Sequence, residues 1–185
     1  RRNNYGTRAA FSCQLFIEYE NGGTEIVKTD ASWRGHKGPI LFSEIYDGEY
    51  YDAREEIEGW NKTECSCEKW ENVRKVPWNV QTLKPQSGAK VKCMEKIPAK
   101  RIFTTPAGET VVDFGQNLTG WIACRVKGKR GDKVELNCFE VLDREGNVYR
   151  ENLRTAKQTV TYVLKDEKEV VFYPNFTYQG FQYAK

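Results

Sequence analysis

Asp47, Glu49, Asp52 and Glu55 crowd into nine residues of a 185-residue chain, flanked by Tyr46, Tyr50, Tyr51 and Arg54. Two carboxylates about 5–9.5 Å apart can cleave a glycosidic bond held between them. Residues two or three apart in sequence can reach that separation, so the cluster has the residue types for the chemistry. Nothing around it builds the deep cleft that would raise one carboxyl's pKa, and the commoner fate of such a cluster is structural. In that reading Asp52 or Glu49 pairs with Arg54 while the tyrosine rings fill a core. The alternative is ligand contact, either with a sugar or with calcium, which wants about six to eight oxygens. Asp47-Gly48-Glu49 on a turn supplies some of these, but no spaced acidic loop accompanies it.

Trp33, Trp60, Trp70, Trp78 and Trp121 are the other groups suited to sugar, because the CH face of a pyranose packs on an indole. Trp33 and Trp60 flank the acidic cluster and are the candidates; core packing is the usual fate of the rest. Trp121 closes the string Asp113-Phe114-Gly115-Gln116-Asn117, read as a structural turn covered by a buried ring. There Asp113, Gln116 and Asn117 satisfy backbone groups and Gly115 gives the chain room to bend. His36 is the single histidine, which removes most histidine-dependent catalysis and any multi-histidine metal site. No metal site is assigned, and calcium is the one cofactor kept open. Arg130-Gly131-Asp132 is explained by a strand-to-strand turn. Asn61-Lys62-Thr63, Asn117-Leu118-Thr119 and Asn175-Phe176-Thr177 are sequons read as incidental. Six cysteines could form three disulfides, but their spacing is scattered and Cys65 and Cys67 make a CxC rather than a zinc-type CxxC. Cys13, Cys124 and Cys138 alternate among apolar residues, where a thiol acts as a small hydrophobe.

The elements that carry these residues are strands. Phe11, Cys13, Leu15, Ile17 and Tyr19 alternate with Ser12, Gln14, Phe16 and Glu18, and Asn21-Gly22-Gly23 then signals a hairpin. Similar alternation recurs at 110–114, 121–126, 134–142, 159–164 and 170–173, each run bounded by turn residues. No segment sustains a capped helical period, so the class is all-β and a sandwich suits the many short strands. A seam falls at Val80 to Gly88, where periodicity fades and Pro85, Ser87 and Gly88 gather. Lys and Arg number 29 against 26 Asp and Glu, a net +3 too balanced for a dedicated nucleic-acid binder. No apolar run approaches the ~18 residues of a membrane span. The chain opens on Arg1, which reads as a processed product or a cut piece, and a complete enzyme is not expected.

Three strings carry more information than composition. They are GPILFSEIYDGEYYDAREEIEGW from Gly38 to Trp60, VVDFGQNLTGW from Val111 to Trp121, and the tail from Phe139 to Lys185 with its YPNFTYQGFQYAK ending. In this order and spacing the chain resembles the non-catalytic β-sandwich modules that precede the (α/α)6 catalytic barrel of bacterial α-L-rhamnosidases, from about Phe11 to the end. The resemblance implies two tandem jelly-roll-like sandwiches. Residues 1–80 would be the C-terminal part of an incomplete carbohydrate-binding-like module, 81–96 a linker and first strand region, and 97–185 a second, concanavalin-like module.

By that resemblance the barrel holds the acid and base of an inverting glycosidase acting on terminal α-L-rhamnosyl residues. No position here matches it, so no catalytic residue is assigned and the chain alone should be inactive. The implied role is accessory: packing on the barrel, with a rhamnose-containing glycan as partner of the whole enzyme. Trp33, Asp47, Glu49, Asp52 and Trp60 are its carbohydrate-binding candidates. An autonomous carbohydrate-binding module and a ligand-free structural or subunit-contact domain, including a homo-oligomer, are the rival readings. No nucleic acid or membrane partner is implied, and enzymes of this resemblance occur in the cytoplasm, the periplasm and outside the cell. Three structural expectations follow: residues 91–185 fold alone, Trp121→Ala costs roughly 3–5 kcal/mol if the ring is buried, and Phe11, Leu15, Ile17, Ile26, Ile40 and Leu41 line one uncovered face, with Phe42 and Ile45 near it.

Overall fold

The alternating runs become hydrogen-bonded strands because each has one apolar face to bury. The computed structural model describes residues 7–8, 10–66, 68–77 and 79–185, so Cys67 and Trp78 lie outside the described residues. The chain opens with β1 (Gln14–Glu18), β2 (Thr24–Lys28) and β3 (Arg34–Gly35). β4 (Ile40–Glu44), β5 (Gly48–Asp52) and β6 (Glu71–Asn72) follow. The later strands are β7 (Arg101–Thr104), β8 (Thr110–Gly120), β9 (Cys124–Val126) and β10 (Lys133–Phe139). β11 (Val141–Leu142), β12 (Val148–Tyr149), β13 (Thr159–Val163), β14 (Val170–Phe172) and β15 (Gln179–Ala184) complete the set. Three 3-10 turns are the only helical segments among the described residues, and no helix is long and apolar enough to cross a membrane. The fold class is all-β, as expected.

Contacts divide the chain into two units: Arg1–Lys37 with Gly59–Ala89, and Gly38–Glu58 with Lys90–Lys185. In the first, β1 and β2 form an antiparallel hairpin from Gln14 opposite Lys28 to Glu18 opposite Thr24. Its turn uses Gly22 at φ +83°, and the Asn21 side chain accepts the Gly23 N–H at 2.9 Å. β3 pairs with β6 over two residues. The Trp33 ring lies 6.4 Å from that of Phe11, and His36 lies 6.2 Å from Trp70.

The second unit is built on a seven-stranded sheet in the order β4-β5-β13-β10-β15-β8-β7. All neighbours are antiparallel except β5 and β13, which run parallel from Gly48 opposite Thr159 to Asp52 opposite Val163. The β9–β14 pair packs over this sheet as the second layer. Between them lie Ala53, Val160, Tyr162, Leu164 and Phe172, with Val134 and Leu136 from β10 and Cys124 and Val126 from β9. Tyr51 stacks on Tyr162 at 5.3 Å and Tyr162 on Phe172 at 4.6 Å, an aromatic column that joins β5, β13 and β14. Further along the sheet, Phe139 stacks on Tyr183 at 5.2 Å and Phe114 meets Phe181 edge-on at 5.4 Å.

One boundary of this division, at Ala89, lies within the expected linker 81–96; the difference is that Gly38–Glu58 joins the later strands. β4 and β5 belong with the later sheet, because β13 offers a free edge with the right register and its apolar column needs Tyr51. The expected single apolar face is divided in the same way. Phe11, Leu15 and Ile26 are exposed and Ile17 half-buried in the first unit, whereas Leu41, Phe42 and Ile45 are exposed and Ile40 half-buried in the second.

Gly48 is the position on which β5 enters the sheet. Its φ is +103°, and a Cβ there would stand 1.9 Å from the Thr159 carbonyl oxygen, a backbone atom that cannot step aside. Gly48→Ala is therefore expected to cost about 2–5 kcal/mol through strain and overpacking together, read as a fall in the denaturation midpoint. Residues 91–185 expressed alone lack β4 and β5. They are expected to unfold at a lower denaturant concentration than the whole chain, with the Tyr162 and β13 amides exchanging faster; equal midpoints would show β5 to be dispensable.

Candidate functional site

Glu49 sits on β5, where the sheet pattern turns its side chain inward, and is 2% exposed. A carboxylate there must have its oxygens filled. Four donors do so: the Asn175 N–H at 3.0 and 3.1 Å, shared between both oxygens, the Asn175 side-chain amide at 3.2 Å, the Phe176 N–H at 3.1 Å and the Ser43 hydroxyl at 3.2 Å. Beside it the Thr177 hydroxyl donates to the Ile45 carbonyl at 3.3 Å. The tail loop 174–177 is thereby fastened to the β4–β5 hairpin.

Asp52 ends β5 and is also buried. It accepts the Arg54 N–H at 3.0 Å and the guanidinium at 2.8 and 2.6 Å. The Arg54 hydrogen bonds hold its carboxyl below the usual carboxylate range against the opposing pull of burial. Asp47, half-buried, accepts the Lys157 N–H at 3.3 Å. Glu55 is exposed. So the acidic cluster does not converge: only Glu49 and Asp52 lie on β5, three residues apart, and both are taken by the protein itself. Among the described residues no group of three or more His, Cys, Asp or Glu stands close enough to hold a metal ion. Trp33 and Trp60 belong to the other unit, with Trp60 63% exposed and Trp33 39%. The five carbohydrate candidates thus fall on two separate bodies.

The string from Asp113 to Trp121 is not a turn. β8 runs through it to Gly120, and the turn signals mark a bulge: Asp113 pairs with Tyr183 but Leu118 with Phe181, so the register slips between them. Asp113 holds the bulge together. It is 4% exposed and accepts the Gly115 N–H at 2.7 Å, the Gln182 amide at 3.1 Å and the Arg101 guanidinium at 2.9 Å. Burial pushes its carboxyl up, and these donors outweigh that and hold it below the usual range. Gly115 has φ +78°, and a Cβ there would meet the Lys100 side chain at 2.7 Å. Asn117 donates to Glu140 at 3.3 Å, and Gln116 is exposed.

Trp121 is half-buried rather than enclosed, because the strand ends at Gly120 and releases the ring to the rim of the sheet. It lines a cleft of about 370 Å³ with Val91, Tyr173, Pro174, Phe176 and Tyr178, and with Asn175 and Thr177 of the Glu49-bound loop. A second cleft of about 200 Å³ shares residues 173–175 with the first and includes Glu49, Tyr51 and Glu56. Its two carboxylates are engaged, Glu49 as above and Glu56 by the Tyr51 hydroxyl at 2.9 Å and Lys165 at 2.5 Å. Sequence reasoning passed over Tyr173, Phe176 and Tyr178; the signal available was an aromatic at three of six positions from 173 to 178, beside the proline.

The remaining motifs serve the fold. Asp132 turns back to accept the Lys129 N–H at 2.7 Å, closing the Arg130-Gly131-Asp132 turn. The Asn175 side-chain amide donates to Glu49 at 3.2 Å, a structural role for that sequon residue. Cys13, Cys93, Cys124 and Cys138 carry free thiols. Cys138 is buried, and burial pushes its thiol up to about 12, whereas Cys13 is exposed and does not serve as a core residue.

Residues 103–185 match the family model described as the bacterial α-L-rhamnosidase concanavalin-like domain, and residues 1–95 match that of the α-L-rhamnosidase N-terminal domain. An α-L-rhamnosidase of Streptomyces avermitilis is 36% identical over 184 residues, covering 99% of this chain and 18% of that protein. One of Formosa agariphila is 31% identical over 175 residues, covering 94% of this chain and 19% of the relative. The native α-L-rhamnosidase structure from Aspergillus terreus gives a TM-score of 0.88 at 35% identity, over 93% of this chain and 20% of that one. The S. avermitilis α-L-rhamnosidase structure complexed with L-rhamnose gives 0.86 at 36% identity, over 92% and 17%. The chain therefore spans about a fifth of the length of these proteins.

Two measurements check the roles of the buried carboxylates. Glu49→Ala leaves the Asn175 and Phe176 N–H groups without acceptors and is expected to cost about 3 kcal/mol or more, with faster hydrogen exchange at those two amides. Asp52 and Asp113 have depressed folded pKa values, so the stability they supply is present above the unfolded value near about 4 and is lost as pH falls through the folded values. Asp113→Asn should lower the midpoint at pH 7 and flatten the loss of stability below about pH 4.

Proposed function

The chain belongs to the α-L-rhamnosidase family, and from that premise we propose that it is a non-catalytic β-sandwich part of such an enzyme, a stiff support for the part that hydrolyses terminal α-L-rhamnosyl residues. The single observation that supports this most is the fate of its carboxylates. Glu49, Asp52 and Asp113 are each more than nine-tenths buried and are filled by donors from the same unit. Acid–base cleavage of a glycoside needs two carboxyls open to substrate from opposite sides, and saturated ones cannot serve. Buried, fully paired carboxylates instead stiffen the strands and loops they join. Supporting a larger body requires that stiffness, and the proposed role calls for no cofactor.

A second reading, a carbohydrate-binding module with Trp60 or Trp33 as its stacking platform, draws support from the exposure of Trp60. Asp47 is the one acidic candidate left partly open to solvent, but it lies in the other unit from both rings. The two readings separate on binding, since saturable binding of a rhamnoside that is lost in Trp60→Ala favours the second, and both share one expectation on activity. The purified chain is expected to show no turnover of an aryl α-L-rhamnoside. Turnover that persists through purification and disappears in Asp47→Asn, Glu49→Gln or Asp52→Asn would overturn the accessory assignment.

A further inference from the structure

The second unit is not continuous in sequence: its β4–β5 hairpin comes from Gly38–Glu58 and the rest from Lys90–Lys185. Between β5 and β7 the chain therefore leaves that unit and returns. The return runs through residues 90–99, which form no strand or helix and are exposed at every position but Ile97. Among the described residues, none of their N–H or C=O groups pairs with another backbone group. The Cys93 thiol donates to the Glu95 carbonyl at 3.6 Å, which ties the segment only to itself. Val91 touches the aromatic cleft yet is 64% exposed, and Met94 is 88% exposed. Order resumes at Lys100, whose N–H donates to the Asp113 carbonyl at 2.8 Å.

A bond inside a hydrogen-bonded strand reaches a protease only after local unfolding. Residues 90–99 need no such step, and exposed, unpaired backbone of this kind is where nicking concentrates. The segment also carries the groups that a lysine-directed enzyme reads. Lys90, Lys92 and Lys96 fall within seven residues, each followed by a residue other than proline. Upstream, Lys84 precedes Pro85, whose ring nitrogen has no N–H. Lysines later in the unit are held by the fold. Lys133 lies in β10, the Lys129 N–H is bound by Asp132 at 2.7 Å, and the Lys157 N–H by Asp47 at 3.3 Å.

A cut in this segment would not free the hairpin. β4 and β5 precede it and β13 follows it, so the two products share one sheet. What joins them is non-covalent and lies inside the unit. Gly48–Asp52 pairs with Thr159–Val163, and the Gln158 and Thr159 N–H groups donate to the Tyr46 and Asp47 carbonyls at 3.0 and 3.1 Å. Glu49 takes the Asn175 and Phe176 N–H groups, and Lys165 reaches Glu56 at 2.5 Å. Tyr51 stacks on Tyr162, and Ala53 is 1% exposed within the core. Continuity through residues 90–99 raises the effective concentration of the hairpin and adds none of these contacts.

We propose that the segment from Lys90 to Ile97 is a processing site for a lysine-directed endopeptidase, and that cutting it yields a two-chain form held together by the β4–β5 hairpin. The step is hydrolysis. Water adds across the amide after Lys90, Lys92 or Lys96, leaving a carboxylate on that lysine and an amine on Val91, Cys93 or Ile97. Neither the cut nor the retention depends on the accessory role.

The test is brief digestion of the whole chain with a lysine-specific endopeptidase. Masses of the denatured products are expected to place the first cut within the second unit after Lys90, Lys92 or Lys96. In native size exclusion at about 10 µM the products should co-elute at the position of the uncut chain. Their denaturation midpoint should rise with protein concentration, because unfolding now separates two chains. Lys90→Gln, Lys92→Gln and Lys96→Gln together change only exposed side chains, so the uncut midpoint should hold while that cut slows at least about tenfold. A first cut elsewhere in the unit, or an unchanged rate in the triple variant, would overturn the site. A product carrying residues 38–58 that elutes apart from the one carrying 97–185 would overturn the two-chain form.

Discussion

A buried carboxylate with every acceptor position engaged is the contact on which the second unit depends. Glu49 brings together three parts of the chain that sequence keeps apart: the β4–β5 hairpin, the 174–177 loop and, through β5, the β13 edge. Removing water from an anion is costly, and only several well-placed donors offset it. Because two of those donors are backbone N–H groups, the carboxylate orders main chain as well as side chains. Asn175 and Phe176 on the rim of the aromatic cleft take their position from that.

The parallel pairing of β5 with β13 imposes the second constraint. Parallel neighbours cannot be joined by a short turn, and here more than a hundred residues separate the partners. The pairing has to be held by side chains and by close backbone approach. Tyr51, Tyr162 and Phe172 supply the side chains in one stacked column, and Gly48 supplies the close approach by having no Cβ to collide with Thr159. A segment from the first third of the chain thus becomes interior to a sheet otherwise made from the last half.

Asp113 does on the other side of the sheet what Glu49 does on this one. It joins β7, β8 and β15 through Arg101, Gly115 and Gln182, and holds open a bulge that would otherwise straighten. The bulge shifts the register of β8 against β15 before the strand ends, and the strand's end is what leaves Trp121 at the rim. Two inward carboxylates, on β5 and β8, therefore shape a surface to which neither contributes a lining atom.

Period-two alternation and the turn residues between runs were enough for the all-β class, because burying one face of a strand is a local requirement that each run states for itself. The three strings Gly38–Trp60, Val111–Trp121 and Phe139–Lys185 are likewise legible as a family resemblance. What alternation does not encode is the partner. Nothing near Gly48 announces that its neighbour is Thr159, and the seam at Val80 to Gly88 lies beside one boundary between the units, at Ala89, but gives no sign that Gly38–Glu58 joins the later strands. For the same reason Asp113 to Asn117 read as a turn: a bulge uses the same glycine and the same capping carboxylate, and only the continued pairing with β15 distinguishes the two. The acidic cluster has residue types fit for sugar or metal, yet which oxygens stay open was decided by donors more than a hundred residues away. Sequence alone determines what a side chain can do, since that is covalent chemistry; tertiary structure decides whether water or protein fills its bonds, since long-range pairing sets which face of β5 is inside.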